Sequence, residues 1–173
     1  MLKTLKRLLP CLLIMVSLPA AALEVGDMAP DFKLPGSDGH LHQLSDYRGK
    51  QTVVLAWFPK AYTSGCTIEC KSLADNGPLI RQYDVTYFMA SVDPLADNKG
   101  FAQETGADFP LLSDEDKSVA KAYSVLSPRG YAQRHTFYIG KDGRILKIDA
   151  DINPPTSAED MVENLGKLGV AKR

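Results

Sequence analysis

Cysteine is scarce in this chain: three in 173 residues, and Cys11 lies in an N-terminal segment set apart below. Only Cys66 and Cys70 remain, so any internal sulfur–sulfur chemistry is confined to that pair. No Cys-x-x-Cys spacing occurs, which argues against a thiol–disulfide oxidoreductase. Positive charge is not in surplus either, with 20 Lys and Arg against 21 Asp and Glu. A chain so balanced is not built to hold nucleic acid. There is no internal repeat, linker or low-complexity tract, which leaves one domain. No cofactor motif and no second domain are present. His40 and His42 alternate, but no third ligand lies nearby. A solvated hairpin face is expected there rather than a metal site.

What is present begins with an address. Lys3, Lys6 and Arg7 form a basic start, Leu8 to Leu18 an apolar core, and Ala20-Ala21-Ala22 a small-residue cleavage site. This is the pattern of a secretory signal peptide over residues 1–22. The apolar run is short for a membrane span, and Pro10 and Pro19 interrupt it. Cleavage removes Cys11 and three positive charges, which takes the net charge from −1 to −4 for residues 23–173.

The remaining chain alternates between strand and helix patterns. Asp31 to Leu44 reads as a hairpin around Pro35-Gly36-Ser37-Asp38-Gly39. Ser45 to Lys50 is a loop or single helical turn. Gln51 to Phe58 is a buried strand. Thr67 to Tyr83 reads as a helix interrupted at Gly77-Pro78, with Ile68, Leu73, Ile80 and Tyr83 as its apolar contacts. Val85 to Ser91 is the next buried strand. Asp93 is the expected N-cap, with Pro94 at the first position, of a helix that ends at Gly106. Phe109 to Leu112 is a short strand, and the acids of Ser113 to Asp116 cap a short helix through Tyr123. Arg134 to Ile139 and Ile145 to Ile148 are strands about a turn at Lys141 to Arg144. Ser157 opens the last helix with a capping box and a stripe of Met161, Leu165 and Leu168. The alternation predicts an α/β sandwich.

One stretch carries chemistry: Trp57 to Cys70. It places Cys66 where a buried strand hands over to a helix. The unsatisfied N–H groups and dipole of a helix N-terminus favour an anion, and so a thiolate. Pro59 suits a strand end. Thr63 offers a hydroxyl to the sulfur, and Gly65 lets the backbone come close. A purely structural Cys66–Cys70 bridge would constrain little of the unfolded chain. At i and i+4 on a continuous helix the Cβ atoms lie about 5–6 Å apart, whereas a disulfide needs roughly 3.5–4.5 Å. The pair can be bridged only if the first helical turn distorts.

These residues resemble the peroxiredoxin signature Pro-x-x-x-Thr-x-x-Cys, read here as Pro59, Thr63 and Cys66. Val25 to Phe32, Phe109 to Asp114 and Arg134 to Ile139 resemble further segments of that family, most closely its Q type, the bacterioferritin comigratory proteins. The resemblance implies a thioredoxin fold with an N-terminal β-hairpin and a central mixed sheet flanked by helices. It implies a thiol-dependent peroxidase in which Cys66 attacks a hydroperoxide and becomes a sulfenic acid. Arg134, in an Arg-x-x-Phe context, is implied to stabilise the thiolate and the developing oxygen charge, and Glu69 is read as an aid to Arg134 or as a solvated helix face. Cys70 is implied as the resolving thiol, although it follows at an interval of four where the Q type often has five. The implied partners are a hydroperoxide and a thioredoxin-like or other thiol reductant, without cofactor or nucleic acid, for a monomer or weak homodimer.

A second reading stays open. Cys66, Cys70 and His135 are similar to the ligand set of exported thioredoxin-fold copper chaperones, which also carry a His-Thr near an Ile-Gly-x-Asp-Gly turn. Two soft thiolates and an imidazole suit copper. Pro59, Thr63 and Arg134 have no part in such a site. Either way the leader implies an exported protein, periplasmic after cleavage near Ala22. Mass spectrometry of protein from its native host should show a chain starting near Leu23. An intact Met1 on soluble cytoplasmic protein would overturn export.

Overall fold

The computed structural model describes residues 22–173. The segment read as a signal peptide lies outside them, save for Ala22. Strand β3 (Thr52–Trp57) is buried on both faces, which is why its sequence is apolar without alternation. It sits at the centre of a five-stranded sheet of order β5-β4-β3-β6-β7. Here β4 is Val85–Ser91, β5 Leu111–Ser113, β6 His135–Ile139 and β7 Ile145–Asp149. β4 and β5 run parallel to β3, and β6 returns antiparallel beside it. The expected hairpin is a separate antiparallel pair, β1 (Lys33–Pro35) with β2 (Leu41–Gln43). The sheet is thus mixed and flanked by helices, as expected.

Alternate side chains of β3 feed two cores. Val54 and Ala56, with Phe58 just beyond the strand, pack with Cys66, Cys70 and Leu73 of α1 (Ser64–Asp75) and with Phe101 of α3 (Leu95–Thr105). Met161 and Leu165 of α5 (Ser157–Lys167) complete that side. Val53, Leu55 and Trp57 face the other way, toward Phe32, Leu44 and Tyr123, beneath the hairpin and α4 (Ser118–Ala122). A break at Asn76 separates α1 from the single turn α2 (Gly77–Ile80), close to the expected interruption.

Several local expectations are corrected. α1 begins at Ser64, three residues before the expected Thr67, and helical structure ends at Ile80 rather than Tyr83. Ile68 is exposed; the buried stripe of α1 is Cys66, Cys70 and Leu73, one turn apart. Asp93 does not cap α3. Its Oδ2 accepts the Ala61 amide instead, and the N-cap position falls to Pro94. Glu115 supplies the missing acceptor, taking the Leu95 amide at 2.9 Å. Ser157 is the first residue of α5 rather than its cap, and its hydroxyl is buried without a partner. His40 is exposed as expected, but the His42 side chain is only 13% exposed and packs 5.1 Å from Phe88. Both histidines reach the Asp38 carboxylate. Asp114 does cap α4, accepting the Val119 and Ala120 amides from a buried position.

One polar network fixes α3 against the sheet. Asn98 is fully buried, and its Nδ2 donates to the Leu112 carbonyl (3.2 Å) and to Ser113 Oγ (2.8 Å). The Ser91 hydroxyl donates to Asn98 Oδ1 and accepts the Asp93 amide, each at 3.2 Å. Asn98→Ala would strand these groups away from water. We expect a loss of about 2–3 kcal/mol, seen as a fall in Tm of roughly 5–10 °C and a lower urea midpoint at unchanged m-value. A variant within about 0.5 kcal/mol of wild type would contradict that role.

Candidate active site

Cys66 stands at the third position of α1. The chain leaves β3 through Phe58, whose amide still bonds Ala90, and Pro59 follows where the ladder stops. Thr63 takes the N-cap position in an extended conformation (φ −82°, ψ 149°), and the Thr67 amide closes the first turn onto its carbonyl. Its hydroxyl donates to the Lys60 carbonyl at 2.9 Å. The expected bond from Thr63 to the sulfur is therefore absent from this structure; the side chain shapes the preceding turn instead. Among the described residues no side chain caps α1, and no acid lies in its first turn. The leading amides of the helix thus have no side-chain acceptor and point their dipole at whatever lies beside Cys66.

Arg134 completes the site from 68 residues away. It immediately precedes β6, and the pairing of His135 with Trp57 sets it beside the end of β3, where Cys66 lies. Its Nη2 donates to Cys66 Sγ at 3.2 Å. Its Nη1 donates to the Glu69 carboxylate on the next residues of the same helix turn. Glu69 is 1% exposed. The alternative of a solvated helix face for Glu69 is overturned: a carboxylate so buried needs a paired cation, and Arg134 provides it. Gly65 lies beside this contact, but an added Cβ would sit 3.4 Å from Arg134 Nη2, an ordinary contact. Close approach does not require glycine there.

Cys70 lies one turn further on and is fully buried. Its Sγ is 3.1 Å from Thr105 Oγ1. That hydroxyl donates to the Phe101 carbonyl at 2.7 Å, which leaves Cys70 S–H as the donor to it. Burial pushes the Cys70 thiol up to about 11, partly offset by the Thr105 bond and reinforced by Cys66. Both cysteines are free in this structure. The helix between them is intact, the geometry in which the pair cannot be bridged.

The copper ligand set is not assembled. Trp57, which pairs with His135, faces the core under the hairpin, whereas Ala56 shares the core of Cys66 and Cys70. His135 follows Trp57 and so lies across the sheet from both sulfurs. Among the described residues no three His, Cys, Asp or Glu side chains converge as a metal site. Burial pushes the His135 imidazole below its ordinary value, opposed by the Asp149 charge.

Two supports of the site escape the sequence pattern. Asp93, itself buried, accepts the Ala61 amide at 2.9 Å. Tyr62 sits in the left-handed region at φ 64° and donates to the Asp97 carbonyl at 3.2 Å. Each ties the loop before Cys66 to the start of α3. Only Gly100, an odd residue for a helix interior, hints at the second.

Residues 25–148 match the AhpC/TSA family. Peroxiredoxin Bcp of Escherichia coli is 33% identical over 149 residues, covering 82% of this chain and 94% of that one. Alkyl hydroperoxide reductase E of Mycobacterium tuberculosis is 38% identical over 141 residues, 80% of this chain and 91% of its own. Among solved structures, a cysteine-to-serine mutant of Xylella fastidiosa PrxQ superposes with a TM-score of 0.80 at 27% identity, over 87% of this chain and 99% of that one. Peroxidoxin BcpB from Mycobacterium tuberculosis gives 0.77 at 28%, over 84% and 97%. The thioredoxin fold of those structures, the buried cysteine at a helix N-terminus and the arginine set against it lead to one assignment: the chain belongs to the AhpC/TSA family and is a peroxiredoxin of the Bcp or Q type, a thiol-dependent peroxidase.

Proposed function

We propose that Cys66 is the peroxide-reducing thiolate and that Arg134 holds both the sulfur and the peroxide through the reaction. The observation that carries this is the guanidinium placed between Cys66 Sγ and the buried Glu69 carboxylate. A fixed cation there needs no rearrangement as charge moves onto oxygen. Cys66 Sγ attacks the terminal oxygen of a hydroperoxide. The S–O bond forms, the O–O bond breaks, and the departing oxyanion takes a proton to leave as water or an alcohol. Cys66 is left as a sulfenic acid. The open amides of α1 receive part of the oxygen charge. Pro59 and Thr63 shape the turn that presents the sulfur, and Glu69 acts as a positioning residue through Arg134.

Cys70 then resolves the sulfenic acid. Its sulfur attacks Cys66 Sγ, the S–S bond forms, and hydroxide leaves with the thiol proton as water. A fully buried, protonated thiol cannot do this in place. The first turn of α1 must open, and opening is the step that admits resolution. A thioredoxin-like dithiol then reduces the disulfide by exchange. The leader supports an exported, periplasmic setting for this chemistry, and nothing in the acidic mature chain calls for nucleic acid. Monomer or weak homodimer remains the expected state.

Cys66→Ser should abolish thiol-dependent peroxide consumption. Arg134→Ala should lower the second-order rate constant by about 10²–10³-fold and leave residual activity. Stopped-flow with hydrogen peroxide and a thiol reductant reads both; wild-type turnover in Cys66→Ser would refute the assignment.

The Cys70 thiol gives a pH dependence. Its ordinary value is 9.0, and burial holds it near 11 in the folded chain. The unfolded chain sheds this proton first, so the stabilisation is complete below pH 9 and is lost as pH rises toward 11. The loss amounts to about 2 kcal/mol. Urea melts of reduced protein across that range should show the decline, and the difference curve against Cys70→Ala should isolate it. Parallel curves for the two proteins would contradict the burial of that thiol.

A further inference from the structure

Four residues before Cys66, Tyr62 is held in a conformation that its side chain does not favour. Its φ of 64° is left-handed, and it carries a Cβ that disfavours that region. Such a residue persists only where its surroundings hold it. The ring stands edge-on to Phe101, with centroids 5.3 Å apart, and the hydroxyl donates to the Asp97 carbonyl. Gly100 lies on the same side of α3, three residues from Asp97. A Cβ built there would meet Tyr62 Oη at 2.5 Å and Cζ at 3.8 Å. The missing side chain is therefore the notch that the tyrosine occupies. Gly100 weakens the helix that contains it, since alanine is the better helix former. Among the described residues, beyond its chain neighbours and the α3 backbone, only Tyr62 comes within 4 Å of that Cβ position.

The same face of α3 continues to Thr105, four residues beyond Phe101, where it bonds the Cys70 sulfur. One helix thus grips the loop before the nucleophile at one end and the second thiol at the other. The grip on the loop is passed to Cys66 through Thr63, whose carbonyl accepts the Thr67 amide at 2.9 Å and closes the first turn.

We propose that Tyr62 is a positioning residue: seated in the Gly100 notch, it holds the first turn of α1 with Cys66 set against Arg134, and its release precedes formation of the Cys66–Cys70 bond. This rests on the peroxidase reading above. It deepens that reading by naming the contact that divides the protein between a state that attacks peroxide and a state that resolves. The covalent step is the one already written, with water as the leaving product. Tyr62 takes no part in bond making and acts only through the turn it anchors.

The test uses Gly100→Ala, Tyr62→Phe and the double variant in the full mature chain. Stopped-flow with hydrogen peroxide separates the peroxide step from the slower disulfide step. Gly100→Ala pushes the hydroxyl out of the notch. It should slow the peroxide step about tenfold and speed disulfide formation several-fold, without lowering Tm. Tyr62→Phe loses only the bond to Asp97 and should slow the peroxide step about two- to threefold. In the double variant the clashing atom is gone, and the new Cβ meets Cζ at an ordinary distance. Its rate constants should return to those of Tyr62→Phe. A helix that merely preferred alanine would show a raised Tm and no change in either step, and that outcome would overturn the proposal. So would a double variant as slow as Gly100→Ala, which would place the effect in the α3 backbone. A wild-type protein that consumed no peroxide through Cys66 would overturn the function itself; an active wild type with an unaltered Gly100→Ala overturns only the role of Tyr62.

Discussion

One guanidinium between a sulfur and a buried carboxylate sustains the site. Without Arg134, Glu69 would be a charge sealed from water, which a fold of marginal stability does not carry. Without Glu69, the guanidinium would keep its charge but lose the contact that aims it at Cys66. The pair is bridged by topology rather than by sequence nearness. β6 returns antiparallel to β3, and that register delivers residue 134 to the level where α1 begins. The central sheet is thus the ruler that measures Arg134 against Cys66. A slip of one residue would turn every side chain of β6 to the other face and remove the cation from the sulfur.

The second thiol is governed by an opposing constraint. Cys66 and Cys70 occupy one helix face, both buried, one turn apart. Helix geometry keeps their Cβ atoms too far apart for a bridge while the turn is intact. The arrangement that brings Arg134 to the sulfur therefore excludes a Cys66–Cys70 bridge. Burial adds to the separation, because it keeps the Cys70 thiol protonated and turned toward Thr105. Under the proposed resolving role of Cys70, the two halves of the reaction belong to two conformations of the same dozen residues.

What the sequence discloses divides along the same line. Val85–Ser91 and the stop at Gly106 were legible because each depends on its own neighbours: an apolar run in the one, a left-handed glycine in the other. Cys66, Pro59 and Arg134 were legible through a motif. The supports were not. Glu69 reads equally as an aid to Arg134 or as a helix surface until residue 134 is folded against it. Asp93 before a proline reads as a helix cap until the Ala61 amide, 32 residues earlier, takes its carboxylate. Thr63 reads as a partner for the sulfur, but its own turn offers the Lys60 carbonyl first. Ile68 followed the apolar alphabet and proved exposed, while two cysteines took its place in the core. In each case a tertiary partner outbid the local preference, and one-dimensional pattern holds no trace of that partner.

The location of the weak point follows from these contacts. The sheet ladder, the Asn98 network and the paired Glu69 are costly to disturb. The first turn of α1 is different. It lacks a side-chain cap, a feature worth about 1 kcal/mol where present. Its N-cap threonine has turned its hydroxyl backward, to Lys60. The same omission would serve both conformations of the proposed mechanism. Uncapped amides remain available to an anion beside Cys66 while the turn is closed. An uncapped turn also frays at little cost when the sulfur must leave. Opening can then be confined to the Lys60–Leu73 stretch, since Phe58 stays tied to Ala90 and β3 keeps both of its neighbours. A rigid scaffold with one loosely fastened turn is what the proposed mechanism requires of a cysteine that is first held still and then handed over.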